Sequence, residues 1–317
     1  MRLVSFETKG LRKAGLALSD GRIVDLYETA LRLVASGQLS GGIPSLEALK
    51  TVPGIVAAHA AVLPSLRLIE SEGERGRGAL IEAGDYILLA PVPRPSKNVF
   101  CVGRNYVDHV TEGYNARGLE IRLPEYPQFF SKPPTTVTGP YSHIPFDPKT
   151  MVCLDYEVEL GVIIGTPGKD IAREDALDHV FGYTVINDLT ARDLQRKHDQ
   201  WFKGKGLDAS CPMGPWIVHK DDIADPQDLA ISLSVNGEVR QKARTSQMIF
   251  DLKRIISDLS QGMTLEAGDI IATGTPSGVG YAMATPSFLL PGDIVRCEIE
   301  GVGSIENRIG APGDERK

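Results

Sequence analysis

Apolar and polar residues alternate from Arg2 to Glu7 and again from Lys13 to Leu26 around Asp20-Gly21, the pattern of strands joined by a tight turn. From Ser45 to about Glu72 the apolar positions recur at helical spacing instead, which predicts one or two helices. A short apolar strand, Tyr86 to Ala90, then runs into Pro91, Pro93 and Pro95. Closely spaced prolines favour extended linker geometry, so the domain boundary is placed there, dividing residues 1–92 from 93–317. Beyond it, strand-like runs recur between Gly, Pro and Asp turns: Asn98 to Val102, Glu157 to Ile164, Tyr183 to Ile186, Ala230 to Val235, Ile270 to Thr273 and Ile294 to Glu300. Two helices are expected in this part. One runs from Ala191 to about His198, opened by Thr190 and Asp193 in capping-box positions; the other is an amphipathic stretch from Ser246 to Leu259. The fold class is therefore α+β and strand-rich.

With 42% hydrophobic and 24% charged residues, the 317-residue chain has the composition of a folded globular protein. Its net charge of -7 and the lack of a dense Lys/Arg run argue against nucleic acids and anionic membranes as partners. A small anionic substrate stays open, because a few local cations or a metal can reverse the field inside one cleft. Cys101, Cys153, Cys211 and Cys297 lack the paired spacing of zinc or disulfide frameworks and read as thiols of a reducing cytosol. The N-terminus has no signal-peptide pattern, and no segment approaches the roughly 20 apolar residues of a membrane span. The expected location is cytoplasmic.

The chemistry concentrates in a few segments. In Asp155-Tyr156-Glu157-Val158-Glu159-Leu160 acids and apolar residues alternate, so a strand puts all three acids on one face. At about 3.3 Å per residue the α-carbons of Glu157 and Glu159 stand roughly 6.6 Å apart, within reach of one cation. The alternative is the solvated face of an amphipathic strand. Asp188 follows an apolar strand, and Asp188, Arg192 and Gln195 fall on one face if a helix is entered at once, although an Asp there also suits a cap. Three carboxylates completed by water suit the hard ions Mg²⁺, Mn²⁺ or Ca²⁺.

A helix opened by Asn105 would set His109 and Glu112 three residues apart on one surface, where the carboxylate can orient the imidazole as a base; a plain surface pair is the rival reading. In Trp201-Phe202-Lys203-Gly204-Lys205-Gly206 a flexible loop can bring Lys205 to a substrate oxyanion, or simply leave it in solvent. The Gly-rich run Thr273 to Gly280 lacks a phosphate-loop lysine and reads as a turn lining a pocket.

Taken in order with Phe129 to Pro133 and Cys211 to Pro215, these segments resemble the fumarylacetoacetate hydrolase family from about Asn98 to Ile309. The resemblance implies a mixed β-sandwich roll with a smaller N-terminal domain, assembled as a homodimer. It implies Mg²⁺ or Mn²⁺ on Glu157, Glu159 and Asp188, and substrate contacts from Arg192, Gln195, Lys205 and Thr275. His109 and Glu112 would sit on a lid. Cys101-Val102-Gly103-Arg104 lacks the further carboxylate ligand of some members, so the chain is similar to the three-carboxylate branch, and Gly113 to Pro127 makes a long lid segment.

The activity expected first is hydrolysis of a carbon–carbon bond in an acylpyruvate-like 2,4-dioxo acid, with His109 activating water and the metal and Lys205 stabilising a pyruvate enolate. Decarboxylation of a 2-oxo diacid such as oxaloacetate and isomerisation of a 2-hydroxy-dienoate use the same enolate-stabilising site. A metal-dependent binding protein without catalysis is a further alternative, against which the His109–Glu112 pair argues.

Overall fold

The computed structural model describes residues 1–39 and 46–311. Its main sheet runs in the order Leu80–Ile81, Ile23–Asp25, Leu11–Ala17, Arg2–Thr8, Cys211–His219, Val180–Asn187, Val158–Ile164, Ile270–Ala272, Val99–Gly103 and Gln128–Lys132. Ile87–Leu88 and Val137–Thr138 pair off this path. Most pairs are antiparallel; Ile270–Ala272 with Val99–Gly103 is parallel. The N-terminal strands are continuous with the rest, because Arg2 and Leu3 pair with Val218 and Ile217. A second sheet, Glu238–Arg244, Ala230–Val235, Ile294–Ile299 and Gly303–Arg308, packs on one face of the first. This is a mixed α+β fold around a large mixed sheet.

Seven α-helices are present among the described residues: α1 (Leu26–Ala35), α2 (Val52–Ala57), α3 (His59–Glu74), α4 (Val107–Asn115), α5 (Arg192–Lys197), α6 (Phe202–Lys205) and α7 (Leu252–Ser260). Helices α2 and α3 fall in the stretch with helical periodicity; Ser45, where that stretch was taken to start, lies outside the described residues. Helix α1 escaped the sequence pattern. Its Asp25 N-cap, which accepts from the Glu28 N–H at 3.1 Å, directly follows a strand and left no polar gap to mark the change of period.

Every residue of Val158–Ile164 is buried, so its alternation does not separate core from solvent. Val158, Leu160, Val162 and Ile164 pack in the core between the two sheets. Ile163 packs on the opposite face, in the core shared with α1, α2 and α3, and Glu159 shares that parity. The polar face of this strand is thus an internal face.

Two helix expectations fail for one reason. Asn105 does not cap α4, whose N-cap is Tyr106 without a side-chain bond. Asn105 instead donates to Phe250 O at 3.0 Å and Thr273 O at 2.8 Å, and accepts from the Phe250 N–H at 2.7 Å. That link holds Ile249 and Phe250 out of the helix expected from Ser246. Helix α7 begins only at Leu252, where Asp251 accepts from the Arg254 N–H at 2.7 Å.

Candidate active site

Three carboxylates meet because of strand register. Val158 pairs with Asn187 and Glu159 with Ile186, and the Asp188 N–H donates to Glu157 O at 2.8 Å, so Asp188 lies across from Glu157. Glu157 and Glu159 share a face two residues apart, and cross-strand neighbours share it too. Ligand atoms of Glu157, Glu159 and Asp188 consequently fall within 4.8 Å of one another, all buried.

The helix-face argument for Asp188 fails. The strand pair Thr190–Ala191 with Leu154–Asp155 intervenes, Thr190 Oγ1 donates to Asp188 O at 2.9 Å, and α5 starts at Arg192 with no side-chain cap. Strand-end geometry delivers Asp188 instead. Asp155 also departs from the expected row of three acids, because its own short strand ends before Tyr156 and its side chain takes another duty.

Asp155 accepts from Arg192 Nε at 2.8 Å, from the Gly280 N–H at 2.8 Å and from the Tyr281 N–H at 3.2 Å. Arg192 Nη2 in turn donates to Glu157 Oε1 at 2.6 Å and Nη1 to Gln195 Oε1 at 3.2 Å, with its guanidinium 4.6 Å from the Tyr281 ring centre. Lys205 is not in a flexible loop. It ends α6, is 3% exposed, and Nζ donates to Glu157 Oε2 at 2.7 Å and Asp188 Oδ2 at 2.6 Å. Lys132, to which the sequence gave no role, is fully buried, with Nζ 2.7 Å from Asp188 Oδ1. That ammonium donates to Leu189 O and Lys205 O, and Asp188 Oδ1 accepts no bond of hydrogen-bond geometry.

The buried charges do not balance. Asp155, Glu157, Glu159 and Asp188 face Lys132, Arg192 and Lys205, which leaves one negative charge over. The excess falls on Glu159, whose one hydrogen bond among the described residues is from the Gly274 N–H at 2.8 Å. Burial pushes its carboxyl well above the usual range, and the Asp188 and Glu157 carboxylates push it further. Burial acts on Glu157 in the same direction, but the Lys205 ammonium and Arg192 guanidinium prevail and hold it at about 2. An Asp188 oxygen without a hydrogen bond, an uncompensated Glu159 and all-oxygen donors fit a hard divalent cation, which would convert the excess to one positive charge.

His109 and Glu112 form the expected pair on α4, with Nδ1 2.9 Å from Oε1. Neither is a surface group: the His109 side chain is 11% exposed and that of Glu112 19%. Glu112 Oε2 accepts from the Gly278 N–H at 2.8 Å. The segment 274–281 therefore anchors three carboxylates with different duties: Glu159 through Gly274, Glu112 through Gly278, and Asp155 through Gly280 and Tyr281. Glycine is required at two of these positions. Gly274 and Gly278 have φ of 100° and 105°, and a Cβ on Gly278 would stand 1.9 Å from Arg240 O. Thr275 Oγ1 accepts from Gln241 Nε2 at 2.8 Å, which leaves its hydroxyl hydrogen free.

His109, Glu157, Glu159, Arg192, Gln195, Lys205 and Thr275 all line one cavity of about 510 Å³. Glu112 supports it from behind. Sequence reasoning missed Lys132, Asp155 as an anchor, Gln241 and Tyr281. The alternation Phe130, Lys132 in a strand was the one signal for Lys132, since it puts an ammonium on the same face as an aromatic ring. Asp155→Ala leaves the buried Arg192 with one carboxylate fewer and frees three backbone N–H groups, those of Tyr156, Gly280 and Tyr281; a loss of about 3 kcal/mol is expected in denaturant unfolding.

A family model described as fumarylacetoacetate (FAA) hydrolase C-terminal matches residues 98–310. The chain belongs to the fumarylacetoacetate hydrolase family. Within it, the chain is 43% identical over 310 residues to oxaloacetate tautomerase YisK of Bacillus subtilis (strain 168), covering 98% of this chain and all of that one. The fumarylacetoacetate hydrolase of Exiguobacterium antarcticum superposes with a TM-score of 0.75 at 37% identity, covering 98% of this chain and 99% of that one. The maleylpyruvate hydrolase of Sphingobium sp. SYK-6, solved with manganese(II) and pyruvate, gives 0.72 at 29% identity over 98% and 100% of the two chains. The chain is a fumarylacetoacetate hydrolase family enzyme with a buried acidic triad suited to a divalent metal. No helix among the described residues is long and apolar enough to cross a membrane.

Proposed function

We propose that this enzyme is an Mg²⁺- or Mn²⁺-dependent oxaloacetate tautomerase, interconverting the enol and keto forms of that 2-oxo diacid. One observation carries the reading: the likeness to an oxaloacetate tautomerase along 98% of this chain, in which His109, Glu157 and Glu159 line the same cavity. Isomerisation of a 2-hydroxy-dienoate to its oxo tautomer stood behind hydrolysis on the sequence; a tautomerisation of the same kind, on oxaloacetate, now moves ahead of it. The homodimer, the cytoplasmic location and the division at residues 92/93 accompany the proposal.

Glu157, Glu159 and Asp188 would hold the metal, which when bound polarises the C2 carbonyl of the substrate. His109 moves the proton. Glu112 occupies Nδ1, which leaves Nε2 to act in the cavity. In the keto-to-enol direction the C3–H bond breaks, its proton goes to Nε2 and its electron pair forms the C2–C3 double bond. The carbonyl pair moves onto the C2 oxygen, which then receives the proton from His109, so no net proton is gained or lost. Lys205 has spent two of its three N–H groups on Glu157 and Asp188, and the third would stabilise the developing oxyanion. Thr275 and Gln195 orient the substrate, while Arg192, committed to Asp155 and Glu157, shapes the triad.

The test is ketonisation of freshly dissolved enol oxaloacetate, followed by ultraviolet absorbance with Mg²⁺ or Mn²⁺ present. Acceleration without release of carbon dioxide is expected. Cleavage of acylpyruvates to pyruvate with no effect on enol oxaloacetate would restore hydrolysis, and carbon dioxide release at the same rate would make the enzyme a decarboxylase.

A further inference from the structure

From Lys205 outward, one wall of the cavity is a ladder of cations and aromatic rings. Lys205 Nζ stands 5.1 Å from the centre of the Phe130 ring, and that ring meets Trp201 edge-on at 5.5 Å. Arg104 lies 5.5 Å from the Trp201 ring centre and 5.8 Å from that of Tyr114, the latter on helix α4 with His109 and Glu112. The cation set between Trp201 and Tyr114 is unusual. It is half-buried and lines the cavity, yet its guanidinium makes no ion pair or hydrogen bond with protein among the described residues. Its backbone also sits at φ 58°, a left-handed conformation costly for a residue with a side chain. Trp201 is held in place by its close fit to Gly103, where a Cβ would come within 2.3 Å of the indole.

Aromatic faces hold a guanidinium without using its N–H groups, so the five donors of Arg104 stay free for a planar anion. The carboxylates that line the cavity elsewhere are Glu157 and Glu159 in the triad and Asp199 at the exposed rim, none paired with Arg104. Arg196 lines the cavity from α5, one turn beyond Arg192 and 5.5 Å from the same Tyr281 ring, again with no carboxylate partner among the described residues.

We propose that Arg104, assisted by Arg196, is the specificity-determining cation that binds the distal carboxylate of a 2-oxo diacid and, through Tyr114, fastens the lid helix over it. This deepens the oxaloacetate reading above and rests on it for the chemistry, though not for the binding. A monoanionic 2-oxo acid would occupy the triad end alone. It would leave Arg104 without a carboxylate partner.

The experiment compares two ligands of equal chain length, 2-oxoglutarate and 2-oxovalerate, by calorimetry on the full-length, Mn²⁺-loaded protein. Wild type is expected to prefer the diacid by about tenfold or more, as a charge-assisted hydrogen-bond pair provides. Arg104→Gln should remove most of that preference while changing the 2-oxovalerate affinity less than about twofold, and Arg104→Lys should retain part of it. Equal weakening of both ligands by Arg104→Gln, or no weakening, overturns the proposal. Should Arg104→Gln not fold, the wild-type ratio decides alone: no preference for the diacid overturns it. Discrimination between these ligands in a protein that does not accelerate enol oxaloacetate would leave the subsite standing and defeat the tautomerase reading.

Discussion

Glu159→Gln is expected to abolish metal-dependent turnover and at the same time to raise the melting temperature of the metal-free protein. Both effects have one cause. Glu159 is the carboxylate for which the buried cluster supplies no cation, pushed up by burial and by Asp188 and Glu157. A glutamine keeps the shape and still accepts from the Gly274 N–H, so the metal-free fold loses a buried repulsion and gains on the order of 1–2 kcal/mol, a few degrees in a thermal scan. The metal loses a charged ligand, and since removal of a supporting group alone costs 10–100-fold in affinity, a drop of about 100-fold or more is expected in calorimetric titration with Mn²⁺. Unchanged Mn²⁺ affinity would sink the ligand assignment.

The same groups set the pH response. The folded, metal-free protein holds a proton on Glu159 more tightly than the unfolded chain does, so this carboxyl stabilises the fold at low pH and loses that effect as pH rises through its elevated value. Glu157 acts in the opposite sense. Held at about 2, it contributes stability above the ordinary carboxylate range that disappears as pH falls toward 2. A divalent ion must displace the Glu159 proton on binding, and the proton released appears as a buffer-dependent heat in the titration.

His109→Ala is expected to leave Mn²⁺ affinity within about twofold and to slow enol–keto conversion by about 10²–10⁴, the contribution of a positioned general base. The imidazole touches no triad carboxylate by hydrogen bond; its Nδ1 is committed to Glu112 Oε1 at 2.9 Å, and Glu112 is anchored on the Gly278 N–H. Glu112→Gln should cost less, since an amide oxygen can still accept from Nδ1 while the imidazole loses its carboxylate. Full tautomerase activity in His109→Ala would show that the proton moves by another route, with Lys205 the nearest alternative.

Much of this site was legible because the residues that do chemistry are ionisable and spaced by local geometry. The i, i+3 relation of His109 and Glu112 belongs to any helix, and the i, i+2 relation of Glu157 and Glu159 to any strand. Asp188 was brought in from its place after an apolar strand and on an expected helix face; the structure puts it in the site through a neighbouring strand instead. What failed was the reading of polar residues as caps and surfaces. Asn105 and Asp155 bond instead to distant segments, Phe250 and Arg192, and Thr190 turns back on Asp188 O rather than capping a helix. Side-chain oxygens do not reveal from sequence which backbone N–H they will find.

The sequence by itself determined the strand-rich class, the pair His109–Glu112 and the row Glu157, Glu159, because these follow from the period of one element. Only the tertiary structure decided that the acidic face is internal, that Lys132, Lys205 and Arg192 nearly neutralise it, and that Glu159 is left without a cation among the described residues. Charge balance in a buried site depends on groups brought together from across the chain, here Lys132, Asp155, Asp188, Arg192, Lys205 and Gly274, and sequence spacing carries no record of their distances.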